Sequence, residues 1–120
     1  MFFQSSLSGI LSFCLLLVPD EAPAILDVTS TTSTTIDIKW TEVTQLHGAT
    51  LQGYGIVYKK INENYKERFL KSVLPTPREA TLEDLEKFTN YTIRVFAFTS
   101  YGNGVSSQPV SIRTQEDGEL

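Results

Sequence analysis

The chain is poor in the residues that build chemical centres. It has one cysteine, Cys14, and one histidine, His47, in 120 residues. A single cysteine excludes an intrachain disulfide and any zinc site of paired cysteines. A single histidine excludes the paired-histidine metal motifs. Basic residues are neither abundant nor concentrated: ten Lys and Arg stand against fourteen Asp and Glu, for a net charge of −4. No such chain presents the dense cationic surface that neutralises phosphates, so a nucleic-acid partner is not expected. Helix-period patterning is also missing. Residues 82–88 (LEDLEKF) come nearest and are too short to stand alone.

Charge is absent from the start of the chain. Every Asp, Glu, Lys and Arg lies at or after Asp20. The apolar run there, residues 9–18 (GILSFCLLLV), is far shorter than the ~20 residues of a membrane-spanning helix. Its length suits the h-region of a secretory signal, although no Lys or Arg precedes it. Its small-x-small site, Ala22-Pro23-Ala24, would trim the strand that follows. Residues 1–18 therefore read as an apolar leader and signal peptide, with an anchor or a truncated start as alternatives.

What the chain does have is alternation. Short runs of period two lie at residues 25–29, 35–40, 53–61, 65–72, 79–82, 91–100 and 110–114. Ile36, Ile38 and Trp40 share one face of their run; Tyr54, Ile56 and Tyr58 share one face of the next. Turn residues separate the runs: Pro19 to Pro23, His47-Gly48, residues 62–64, Pro75 and Pro77. The threonine-rich stretch 30–35 (STTSTT) reads either as a linker or as a strand edge. A hydrophobic fraction of 41% suffices for one modest core. Seven alternating strands with one apolar face each imply two antiparallel sheets packed on a shared core.

In their order and spacing these motifs resemble the fibronectin type III family over residues 23–114. Pro23 opens the domain, and Leu26 and Val28 stand in the first strand. Trp40 ends the second, and Tyr54-x-Ile56-x-Tyr58 forms the third. Leu82 and Leu85 lead into Tyr91-x-Ile93-x-Val95-x-Ala97, and Gly102-x-Gly104-x-x-Ser107 precedes the last strand. The resemblance implies an all-β, seven-stranded antiparallel immunoglobulin-like β-sandwich over residues 19–115, followed by a polar tail or linker remnant at 116–120. It assigns structural roles to Trp40, Tyr54, Leu85 and Tyr91. Tyr91 would be the tyrosine corner, its hydroxyl bonded to backbone a few residues upstream. One departure stands out. Where the family usually has Pro-Gly before this corner, the chain has Lys87-Phe88. A looser loop is then expected, with Phe88 capping the core from below.

Functional candidates lie on the opposite parity. Arg94, Phe96 and Phe98 point away from the core, with Val57 beside them. They would form an exposed apolar patch for a protein partner or adjacent domain, unless neighbouring strands or the stems of Lys59 and Arg113 cover it. Tyr101 sits in a loop at residues 99–107 (TSYGNGVSS), which is either a recognition loop or a plain connection. Asn90-Tyr91-Thr92 is the sole N-x-[ST] sequon, making Asn90 a candidate glycosylation site. Lys59, Lys60, Lys66, Arg68 and Lys71 form either a lysine-protected sheet edge or a weak polyanion or headgroup patch. Glu79, Glu83, Asp84 and Glu86 lack the spacing of a carboxylate pair or a calcium loop.

No acid, base and nucleophile converge, so the chain does not read as an enzyme, and neither a cofactor nor a small-molecule substrate is expected. Arg-Gly-Asp is absent, and a lone tryptophan excludes the paired Trp-Ser-x-Trp-Ser motif. The opening VPDEAP and the closing RTQED are similar to junctions in tandem arrays of the family. The resemblance thus implies a protein-interaction or spacer module, one unit of an extracellular or cell-surface adhesion or receptor protein. It would meet the membrane only through a parent chain. The alternatives are an intracellular structural array unit, or an accessory domain of an enzyme such as a receptor-type phosphatase ectodomain.

Overall fold

Alternation becomes two sheets. The structure is a computed structural model that describes residues 18–62 and 67–116. Nearly all of the leader, Lys66, the turn residues 63–64, the expected start of the fourth strand at 65 and most of the tail lie outside the described residues. The strands are β1 (Ile25–Ser30), β2 (Ile36–Trp40), β3 (Gly53–Lys60), β4 (Phe69–Val73), β5 (Glu79–Leu82), β6 (Asn90–Thr99), β7 (Gly102–Asn103) and β8 (Val110–Arg113). One sheet runs β1-β2-β5. The other runs β4-β3-β6-β7, with β8 also paired to β6. Every pairing is antiparallel.

The core lies between the inner faces. Ile36, Ile38, Trp40 and Leu82 from one sheet meet Tyr54, Ile56, Tyr91, Ile93, Val95 and Ala97 from the other. Leu85 is buried beside them. Full burial of each large apolar side chain stabilises by about 1.5–3 kcal/mol. Trp40 meets Tyr54 edge to face, with ring centroids 5.5 Å apart, an arrangement that aromatic quadrupoles favour.

β1 departs from simple alternation. Its register against β2 shifts between Ile25 and Asp27. This bulge inserts one residue, so Ile25 and Val28 both pack on the core. Leu26, which parity alone would send inward with Val28, is 67% exposed.

The expected basic cluster divides. Lys71 lies opposite Ile56, on the inner face of edge strand β4. Its Nζ donates to the Thr81 carbonyl of edge strand β5 at 2.8 Å. An inward cation on a free edge closes one open side of the sandwich and disfavours strand addition there. Lys60 pairs with Glu86. Lys59 and Arg68 face the outer side of the sheet, where both line one groove. Residues 30–35 form a turn rather than a linker, closed by hydroxyl contacts of Thr31 and Thr32 with Thr35 at 2.8 and 2.7 Å.

A phenol fastens each pole. Tyr91 Oη accepts the Glu86 N–H at 2.8 Å, and Tyr54 Oη accepts the buried Val43 N–H at 3.0 Å. Around Tyr91, Thr114 Oγ1 donates to the Glu86 carbonyl at 2.6 Å and accepts from the Thr89 N–H at 2.9 Å. The loop before β6 is therefore held, not loose. Phe88 takes φ 47°, the left-handed conformation that glycine adopts without strain. Its ring is exposed and lies under the Arg113 guanidinium, 4.6 Å from the centroid. It does not cap the core, because that backbone turns the ring outward.

At the other pole the segment before β1 is clipped down. Pro19 is buried, and its carbonyl accepts the Val105 N–H at 3.2 Å. Gly104 allows this approach: a Cβ there would lie 2.5 Å from the Pro19 oxygen. Glu21 Oε1 accepts the N–H groups of Thr44 and Gln45, both at 3.0 Å. His47 and Asp20 meet at 3.1 Å.

Tyr54→Phe is expected to lose about 1–3 kcal/mol, because it orphans a buried N–H. Tyr91→Phe removes a less buried bond and is expected to lose about 1 kcal/mol. Urea unfolding of both variants checks this; unchanged midpoints would contradict it.

Candidate interaction surface

The outer face of the five-stranded sheet follows from the pleat of β6. Thr92, Arg94, Phe96 and Phe98 point outward, opposite Lys59, Val57, Gly55 and Gly53 of β3. Two phenylalanines thus face two glycines. A Cβ on Gly55 would lie 2.3 Å from the Phe96 ring, and one on Gly53 would lie 3.1 Å from the Phe98 ring. Each ring lies down across its neighbouring strand in the space the missing side chain leaves. Phe96 retains 7% exposure and Phe98 is half-buried.

Of the two expectations, cover by a neighbouring strand holds for the aromatic half: the Phe96 ring lies against Gly55 of β3. The signal was present as Gly53-x-Gly55 and Phe96-x-Phe98. Reading it requires the cross-strand register.

The other half of the face stays open. Val57 is half-buried, Arg94 is exposed, and Leu70 of β4, directly opposite Val57, is 60% exposed. These residues line a shallow groove of about 630 Å³ together with Lys59, Arg68 and Phe96. Leu70 escaped the sequence reading, because its face depends on where β4 pairs.

Tyr101 is 58% exposed at a hairpin tip. The expected nine-residue loop is much shorter, since Gly102 already pairs with Thr99. Residues 104–109 instead interrupt the final strand. Ser107 bridges that interruption: its Oγ accepts the Val95 N–H at 2.9 Å and its own N–H donates to the Val95 carbonyl at 2.7 Å. Asn90 begins β6, is exposed, and its Oδ1 accepts from Arg113 Nε at 3.3 Å.

A second depression, of about 400 Å³, touches Tyr58, Phe69, Asp84 and Tyr91. Tyr58 and Phe69 stack at 5.5 Å. Burial pushes the Tyr58 phenol above its ordinary value, and Tyr91 and Asp84 push it the same way. That direction keeps the phenol protonated, the opposite of a poised base. Tyr91 spends its hydroxyl on the Glu86 N–H. Among the described residues, no three His, Cys, Asp or Glu side chains are placed to hold a metal ion.

Residues 21–113 match the sequence model of the fibronectin type III domain. The chain belongs to this family. Among its relatives, the cell adhesion molecule DSCAM of Gallus gallus is 36% identical over 102 residues, covering 83% of this chain and 5% of that protein. Protein sidekick-2 of Gallus gallus is 31% identical with the same coverage. The chain thus spans about 5% of the length of the curated relatives it matches. The solution structure of the fibronectin type III domain of human contactin 1 superposes with a TM-score of 0.74 at 28% identity, covering 85% of this chain and 84% of that one. A crystal structure of titin domains A168–A170 superposes with a TM-score of 0.67 at 23% identity, covering 82% of this chain and 33% of that one, a likeness of fold alone.

Within this fibronectin type III sandwich, Phe96 and Tyr101 should behave oppositely. Phe96→Ser is expected to lose about 2–3 kcal/mol on urea unfolding. Tyr101→Ser should stay within about 0.5 kcal/mol of the parent. Equal, small effects would show that Phe96 is not held against Gly55.

Proposed function

We propose that this fibronectin type III domain is a non-catalytic protein-interaction or spacer module of a multi-domain cell-surface adhesion or receptor protein. The observation that carries the reading is the match, over 83% of the chain, to proteins named as cell adhesion molecules. The fold supports it physically. Both poles are tied by hydrogen bonds that two phenols and a carboxylate accept and a threonine hydroxyl donates. A body pinned at both ends holds its surface side chains in fixed relative positions, as a recognition or spacing unit needs. Tyr101, Val57 and Arg94 are the proposed contact residues. Phe96 and Phe98 support the surface from beneath.

Asn90 belongs to the same reading. It is exposed, on the outer face, in the sequon Asn90-Tyr91-Thr92. In a secreted chain it would carry a glycan at the pole where β6 begins.

An antibody to the folded domain should stain intact, unpermeabilised cells that express the parent protein. Staining only after permeabilisation would contradict a cell-surface site. Peptide N-glycosidase should increase the mobility of the native protein, and Asn90→Gln should abolish that shift. An unchanged mobility in the untreated and treated native protein would remove Asn90 from the account.

A further inference from the structure

The open half of the outer sheet face has a charge pattern that the fold does not require. The chain carries −4 overall. Yet the outer face of the five-stranded sheet holds Lys59, Arg68, Arg94 and Arg113, and among the described residues no carboxylate shares that face. The outer face of the three-stranded sheet has the opposite bias, with Asp27, Asp37 and Glu79 against Lys39. Lys39 is already paired with Glu79 at 3.8 Å. Arg113 is occupied by Phe88 and Asn90. Arg94 stands at the centre of the sheet, flanked along β6 by Thr92 and Phe96 and across from Val57.

Arg94 is exposed on β6, and its in-register neighbour, Val57, is apolar. Arg94 thus places a guanidinium beside an apolar floor. Val57, Leu70 and Phe96 line the groove, and Lys59, Arg68 and Arg94 supply its charge. Arginine and large apolar side chains together are the composition of an interface centre.

We infer that this groove binds an extended segment of a partner protein that presents carboxylates and an apolar side chain on one face, at every second residue. The inference rests on the interaction-module reading above and names the partner's chemistry. The guanidinium fork of Arg94 matches a carboxylate bidentately. Val57 and Leu70 ask for an apolar side chain between the carboxylates. A sulfated polysaccharide would satisfy the cations but leave those two residues uncovered. The groove crosses β4, β3, β6 and residues 103–106. Four strands at ~4.8 Å spacing give it roughly 15 Å, the reach of about four or five extended residues.

The test is titration of the ¹⁵N-labelled domain with the synthetic peptide acetyl-Glu-Ser-Leu-Ser-Asp-amide, whose acids and leucine share one face when extended, followed by amide chemical shifts. Saturable shifts at Val57, Leu70 and Arg94 are expected. Arg94→Glu, and a peptide with Gln and Asn in place of its acids, should each weaken binding at least ~10-fold. Leu70→Ser should weaken it by a smaller factor. Leu74→Ser, an exposed leucine outside the groove, should change nothing. Shifts confined to other surfaces, or an affinity indifferent to Arg94→Glu, would overturn the assignment. So would saturable binding of a heparin oligosaccharide at this face with none of the peptide. If the peptide fails while intact cells still stain, only this assignment falls. If surface staining also fails, the module reading falls with it.

Discussion

The pleat of β6 is the constraint on which the rest of the molecule depends. This strand is hydrogen-bonded to β3 on one side and to β7 and β8 on the other. Its parity sends Tyr91, Ile93, Val95 and Ala97 into the core and Arg94, Phe96 and Phe98 to the outer face. A slip of one residue would exchange these sets, burying a guanidinium and exposing the core. The Tyr91 hydroxyl guards against that slip. Its bond to the Glu86 N–H ties the start of the strand to the loop before it, so the register is fixed where β6 begins.

The outer face inherits this parity and then divides. Where β3 offers glycine, the β6 aromatics lie flat and become part of the scaffold. Where β3 offers Val57, that residue stays only half-buried and Arg94 is exposed. The same alternation therefore makes a structural half and an open half within one face. The division separates residues that can be changed for function from residues that cannot. Altering Arg94 or Leu70 touches only the surface. Altering Phe96 exposes the β3 backbone and removes buried apolar area, so loss of binding in such a variant would report unfolding.

Much of the fold was legible in the sequence, because period-two patterning is local and each strand declares its own inner face. Ile36, Ile38 and Trp40 were readable on sight, as was the run from Tyr91 to Ala97. What escaped reading is whatever depends on two strands at once. Leu26 is outside because a bulge against β2 breaks its parity. Lys71 points inward because an edge carbonyl on β5 lies within reach. Phe96 is covered because Gly55 is its cross-strand partner. The Tyr54 hydroxyl is a second pole clip because a loop eleven residues upstream returns above it. Phe88 holds a left-handed backbone where glycine is usual, and nothing local announced that it would face solvent under Arg113.

The division of the outer face stands or falls on whether Phe96 and Gly55 act as a pair. A double-mutant cycle of Gly55→Val and Phe96→Ala, read by urea unfolding, measures this directly. A side chain at Gly55 displaces the Phe96 ring, so the Phe96→Ala change should cost much less in the Gly55→Val background than in the parent. The expected coupling is at least ~1 kcal/mol. Additivity within about 0.5 kcal/mol would show the two residues to be independent, and the face would then be one continuous exposed surface.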